Sequence, residues 1–141
     1  MIDFDVFFMQ EALKLAKNAF DEDEVPVGAV VVCDNKIIGK GYNQVEKLND
    51  PTAHAEVLAI TAACNYLDSK YLDKCTLYIT LEPCMMCTGA IREAQIKRIV
   101  YAATDTSNRK LEPNLFELKT GLMENEASAL LKTFFKKKRL L

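Results

Sequence analysis

A chain of 141 residues with half of its positions apolar is the size of one ordinary domain and long enough to bury a core. Its 18 lysines and arginines stand against 20 aspartates and glutamates, so a formal charge of −2 excludes a global field that would draw it to nucleic acid, and any such binding has to come from a local patch. No apolar run approaches the roughly 18 residues that a membrane span needs, and the acidic opening MIDFDVFFMQEALKLAK lacks the positive charge of a secretory signal, so the expectation is a cytoplasmic protein with no membrane partner.

Over residues 4–20, Phe8, Ala12, Leu15, Ala16 and Ala19 recur at helical spacing and predict an amphipathic first helix. The acidic DEDE run breaks that period. VPVGAVVVCDNKIIGKGYN then predicts a hairpin whose first strand is buried, with a turn at Asp34-Asn35 and a second strand ending near Tyr42. Residues 43–52 are polar and end in Asp-Pro-Thr, which predicts a helix over residues 53–67 with Pro51 in its opening turn. CTLYIT is a third strand, and EPCMMCTGAIREAQ restarts a helix with Pro83 at its opening. IKRIVYAA is a fourth strand, a polar connection runs from Thr104 to about Pro113, and LFELKTGL is a fifth strand. A last helix over residues 124–139 carries Ala127, Leu130, Leu131 and Phe134 on its apolar face. Strands separated by helices after an opening hairpin predict an α/β sheet flanked by helices.

The five cysteines, Cys33, Cys64, Cys75, Cys84 and Cys87, are an odd number without an export signal, which favours metal ligation or buried free thiols over a disulfide framework. Cys84 and Cys87 are three apart, so a helix presents both on one face. Such a pair is ambiguous among a redox couple, a corner of a structural zinc site and chance. His54 is the only histidine, and Glu56 follows it two residues later. A lone histidine near a helix start is more often a satisfied surface or core residue, but a three-ligand open site accounts for all four side chains together. Two thiolates and one neutral imidazole hold Zn²⁺ and leave its fourth position to a water whose pKa falls to about 7. Both ligand sets lie at predicted helix N-termini, whose dipoles favour thiolate. Glu56 points another way round the helix and suits proton transfer better than ligation. Cys33, Cys64 and Cys75 read as buried small hydrophobes without a metal or redox role.

His54-Ala55-Glu56 followed by Pro83-Cys84-Met85-Met86-Cys87 resembles the paired motifs of the zinc-dependent nucleobase deaminases. Within that superfamily EVPVGAVVV, GYN, NDPTAHAE and TLYITLEPCMMCTGA, in this order and spacing, look most like bacterial tRNA adenosine deaminases. The likeness runs from the first helix to about Asp105 and resumes at NEASALLKTFF. It implies a cytidine deaminase-like three-layer α-β-α fold with a mixed central sheet of about five strands, residues 1–141 forming one deaminase domain. It implies one Zn²⁺ per chain on His54, Cys84 and Cys87, Glu56 as general acid and base, Asn43 hydrogen-bonding the target base, and Asp105 as a further substrate-binding residue. The implied reaction converts adenosine to inosine in a tRNA anticodon loop, by a homodimer.

The C-terminal FFKKKR, with Phe134, Phe135, Lys136, Lys137, Lys138 and Arg139, has a composition suited to base stacking and phosphate contact, and the resemblance makes its helix part of the RNA-binding surface. The plainer reading is a solvated helix end with one phenylalanine in the core. After Asp105 the stretch TSNRKLEPNLFELKTG is shorter than the family pattern and lacks its Gly/Ala/Ser segment. That difference keeps a second enzyme class open, deamination of a free base, nucleoside or nucleotide of the guanine or cytosine type. A zinc-stabilised RNA-binding or structural module without turnover is the third alternative.

Overall fold

The computed structural model describes residues 2–105 and 116–140. Helix α1, Phe4–Asp21, starts where the Asp3 carboxylate accepts the backbone N–H groups of Asp5 and Val6, and it buries Phe8, Met9, Ala12, Leu13, Ala16 and Ala19. The expected hairpin follows as β1, Gly28–Cys33, and β2, Lys36–Tyr42. Asp34 and Asn35 make its two-residue turn with φ of 51° and 58°, the left-handed pair that Asp and Asn tolerate best. The chain continues through α2, Val45–Leu48, α3, Ala55–Leu67, β3, Thr76–Leu81, α4, Met85–Glu93, β4, Arg98–Ala103, β5, Glu117–Thr120, and α5, Glu124–Arg139.

The five strands form one mixed sheet, as the resemblance implies, in the order β2-β1-β3-β4-β5. β1 pairs antiparallel with β2 and β3, whereas β3, β4 and β5 run parallel. β1, β3 and β4 are nearly continuous buried runs because both faces of the sheet are covered. On one face Val30, Val32, Tyr78 and Val100 pack with Phe8, Met9 and Leu13 of α1 and Ala127 of α5. On the other, Val31, Leu77, Ile79 and Ile99 pack with Ala55, Ala59 and Ala63 of α3 and Ile91 of α4. The result is the three-layer α-β-α arrangement.

Two details differ from the sequence reading. The polar stretch before α3 contains the short α2, which forms because the buried Glu24 carboxylate accepts the backbone N–H groups of Glu46 at 3.0 Å and Lys47 at 2.8 Å. The two prolines also precede their helices: Pro51 sits in a turn, α3 begins only at Ala55, and Pro83 lies before Cys84, the residue that caps α4. Residues 106–115, including most of the polar connection up to Pro113 and Leu115 of the expected fifth strand, lie outside the described residues.

Two glycines of β2 set the position of α3. A Cβ on Gly41 would stand 2.3 Å from the Ala55 carbonyl oxygen and 2.7 Å from the Ala59 nitrogen, and one on Gly39 would stand 2.3 Å from the Ala59 carbonyl oxygen. The backbone of α3 therefore rests directly on β2, and its first turn is held at the end of the sheet where Tyr42 leads into Asn43.

Candidate metal and catalytic site

His54 is the N-cap of α3 and Cys84 the N-cap of α4, and neither side chain caps its own helix. The parallel strand β3 and the two helices that precede and follow it bring these N-termini together, so two positive helix ends converge on one point. Cys87, one turn into α4, completes the group. The ligand atoms of His54, Cys84 and Cys87 all lie within 4.8 Å of one another. His54 Nδ1 is 3.7 Å from Cys84 Sγ and 3.4 Å from Cys87 Sγ. Bonds of about 2.3 Å to sulfur and 2.0–2.1 Å to nitrogen at tetrahedral angles place such atoms about 3.6 Å apart, so the donor set fits Zn²⁺.

Burial acts on the two kinds of ligand in different senses. Burial lowers the His54 pKa, against the pull of Asp50, and so favours the neutral ring that binds metals. Burial, with Glu56 and Cys84 alongside, pushes the Cys87 thiol well above the usual thiol range. Those neighbours oppose a thiolate there until a divalent cation supplies the compensating charge. Glu56 is 4% exposed, accepts from the Cys87 thiol, and is pushed up by burial to about 7. It is the carboxyl closest in character to a proton carrier.

These groups open onto a cavity of about 680 Å³ lined by Asn43, His54, Glu56, Glu82, Cys84 and Asp105 among others. That volume lies within the roughly 300–1,000 Å³ of small-molecule sites. Asn43 is buried, and its side-chain oxygen accepts the Ala55 N–H at 2.8 Å, which ties the second strand to the start of α3 and leaves the amide NH₂ as a donor toward the cavity. The backbone N–H of Asp105 donates to Glu82 Oε1 at 3.1 Å.

Residues 3–139 match the MafB19-like deaminase family. The tRNA-specific adenosine deaminase of Aquifex aeolicus (strain VF5) is 43% identical over 149 aligned positions, covering 94% of this chain and 95% of that protein. The chain belongs to the tRNA-specific adenosine deaminase family. A structure from a study of A-to-I editing by tRNA:A34 deaminases at the wobble position of transfer RNA superimposes with a TM-score of 0.83 at 39% identity, covering 89% of this chain and 99% of that one. The guanine deaminase of Bacillus subtilis is 47% identical over a shorter stretch, 71% of this chain and 64% of its own, with a TM-score of 0.68.

Within this family member the site residues named from sequence fall in two groups. His54, Glu56, Cys84, Asn43 and Asp105 share the cavity, and Cys87 is buried within reach of His54 and Cys84 without lining it. The FFKKKR segment does not form a single surface. Phe134 is buried, its ring 6.2 Å from that of Phe20, and it lines the cavity together with Lys138. Lys138 pairs with Asp23 at 2.6 Å, whereas Phe135, Lys136, Lys137 and Arg139 are exposed. Sequence reasoning missed Glu24 and Glu82, the buried carboxylates that hold Glu46, Lys47 and Asp105. Glu82 stands next to the Pro-Cys motif and is approachable on that ground, but nothing in the DEDE run separates Glu24 from its neighbours.

Proposed function

We propose that this chain is a zinc-dependent hydrolytic deaminase, a single deaminase domain over residues 1–141, that converts adenosine to inosine at the wobble position of tRNA. The observation that carries the reading is the tetrahedral spacing of His54, Cys84 and Cys87 with the buried Glu56 beside them at the floor of one cavity. Near-complete coverage of the tRNA-specific relative supports tRNA as the substrate.

His54 Nδ1 and the sulfurs of Cys84 and Cys87 would hold Zn²⁺, which would supply Lewis-acid activation of a water. Glu56 takes a proton from the attacking water as its oxygen adds to C6 of adenine and passes it to the ring nitrogen, then takes the remaining proton of the added hydroxyl and passes it to the departing amine. The C6–N6 bond breaks, ammonia leaves and inosine remains. The Asn43 amide, fixed through Ala55, donates to the base and holds it against Glu56, while Glu82 holds the Asp105 backbone at the cavity wall. An adenine already unstacked in an anticodon loop enters such a cavity at the least cost. Phe135, Lys136, Lys137 and Arg139 are the exposed residues of α5 that meet the RNA outside, and Phe134 and Lys138 meet it at the cavity wall.

Met85 and Met86, 75% and 37% exposed, open α4 beside the ligand cysteines as an uncovered apolar step. A second copy of the chain covers it in a homodimer that works in the cytoplasm. No described helix is long and apolar enough to cross a membrane.

A free-base deaminase is the second reading, favoured by the local identity to the guanine enzyme. Ammonia release measured side by side on tRNA carrying A34, guanine, cytosine and adenosine separates the two. Release from the tRNA alone is expected, and release from guanine or cytosine with none from tRNA overturns the tRNA assignment.

A further inference from the structure

Three thiols stand apart from the metal site: Cys75 is buried as expected, whereas Cys33 and Cys64, expected to be buried, are only half-buried. The antiparallel register of β1 on β3 pairs Ala29 with Ile79, Val30 with Tyr78, Val31 with Leu77 and Val32 with Thr76. Cys33, the last residue of β1, and Cys75, the residue just before β3, follow directly on the final pair and stand at the same end of the two neighbouring strands. Both belong to the face of the sheet that α3 covers: Cys75 is part of that core, and Cys33 and Cys64 of α3 pack against it. The Cys33 and Cys75 thiols are near enough for each to act on the other's ionisation. Residues directly opposite in an antiparallel pair have Cα atoms about 4.5–5.5 Å apart, inside the range of about 4.4–6.8 Å that a disulfide spans.

We propose that Cys33 and Cys75 form a reversible cross-strand disulfide in response to a hydroperoxide, which makes this end of the sheet an oxidation-sensitive modification site. Cys33 is half-buried and Cys75 buried, so the oxidant meets Cys33 first. Burial and the neighbouring Cys33 push the Cys75 thiol up to about 12, so it is not the thiol that meets the oxidant, and it enters only as the resolving partner, losing its proton as it attacks. Cys33 attacks the peroxide as its thiolate, the O–O bond breaks, and a sulfenic acid forms while the displaced hydroxide takes up the thiol proton as one water. The Cys75 sulfur then displaces the sulfenic hydroxyl, which leaves as a second water with the Cys75 proton. Two thiols and one hydrogen peroxide give one disulfide and two waters.

The bond lies at the end of the strands away from the cavity, which is lined by Val27 before β1 and Leu81 at the end of β3. It closes the segment from Cys33 to Cys75, which contains Asn43, His54 and Glu56, and a cross-link over so long a segment restricts the unfolded chain. The inference is independent of which base the cavity accepts.

Zinc-loaded protein is treated with hydrogen peroxide, free thiols are alkylated, and the non-reduced peptides are mapped by mass spectrometry. A Cys33–Cys75 linked peptide 2 mass units lighter than the sum of its parts is expected, formed also in Cys64→Ser, absent in Cys33→Ser and removed by dithiothreitol. The oxidised wild type also melts at a higher temperature than its reduced form, and Cys33→Ser shows no such rise. Cys33 and Cys75 both remaining alkylatable, or a cross-link confined to Cys84–Cys87 or to Cys64, overturns the proposal.

Discussion

Glu56 sits 4% exposed beside the sulfur of Cys87, and the proposed proton transfers all pass through it. Glu56→Gln keeps the shape of the side chain but cannot carry the proton, so turnover is expected to fall roughly 10²–10⁴-fold while one zinc per chain is retained. Single-turnover rates alongside metal analysis check both halves of that statement. His54→Ala, by contrast, is expected to lose the metal and the activity together. A second residue governs acid stability. Asp5 accepts the Tyr78 hydroxyl at 2.6 Å, two Arg98 nitrogens at 3.1 and 2.9 Å and Lys119 Nζ at 2.9 Å, and the Arg98 guanidinium holds its carboxyl well below the usual carboxylate range. Its contribution is therefore full above the ordinary value of 3.8 and declines as pH falls below it. Asp5→Asn should cost on the order of 2 kcal/mol at neutral pH, and the gap to wild type should close in thermal melts taken at successively lower pH. His54, Glu56, Cys84 and Cys87 were legible only as a joint pattern, because the lone histidine and the Cys pair are each ambiguous alone. Asp5 was not, since its partners lie 73, 93 and 114 residues away in sequence.

At the scale of elements, the approach of α3 to β2 decides whether the site exists. A methyl at Gly41 meets the Ala55 carbonyl oxygen at 2.3 Å, next to both His54 and Glu56, and neither backbone can yield without moving that turn. Gly41→Ala is expected to weaken zinc retention and lower turnover even where the protein folds. Gly89→Ala is the control: nothing lies within 4 Å of a Cβ there, and removing a helical glycine from α4 stabilises by roughly 0.5–1 kcal/mol. Zinc content per chain and thermal melts of the two variants distinguish the roles. The elements themselves follow from apolar periodicity and turn residues, so the sequence predicts all five strands and the four long helices. α2 escaped because its cause is a buried carboxylate from a distant loop, and the glycines of β2 read only as strand residues because their contact with α3 is tertiary.

For the whole molecule, the exposed Met85 and Met86 beside the ligand cysteines and the split of the FFKKKR segment are the features that bear on partners. Light scattering at working concentration is expected to give twice the chain mass, and Met85→Glu to shift that mass toward the monomer. A wild-type monomer at those concentrations would contradict the dimer. Composition indicated that any RNA affinity must be local, and the structure divides the segment: Phe134 faces Phe20 and the cavity while Phe135 faces solvent. Two adjacent phenylalanines on a helix give no sign in sequence of which one the core takes. The most direct test of the central reading is the nucleoside at position 34 of tRNA after incubation with zinc-loaded wild type and with zinc-loaded Glu56→Gln. Inosine is expected at that position with wild type and not with Glu56→Gln. Adenosine left intact by a zinc-loaded wild-type dimer, or inosine formed equally by both proteins, would contradict it.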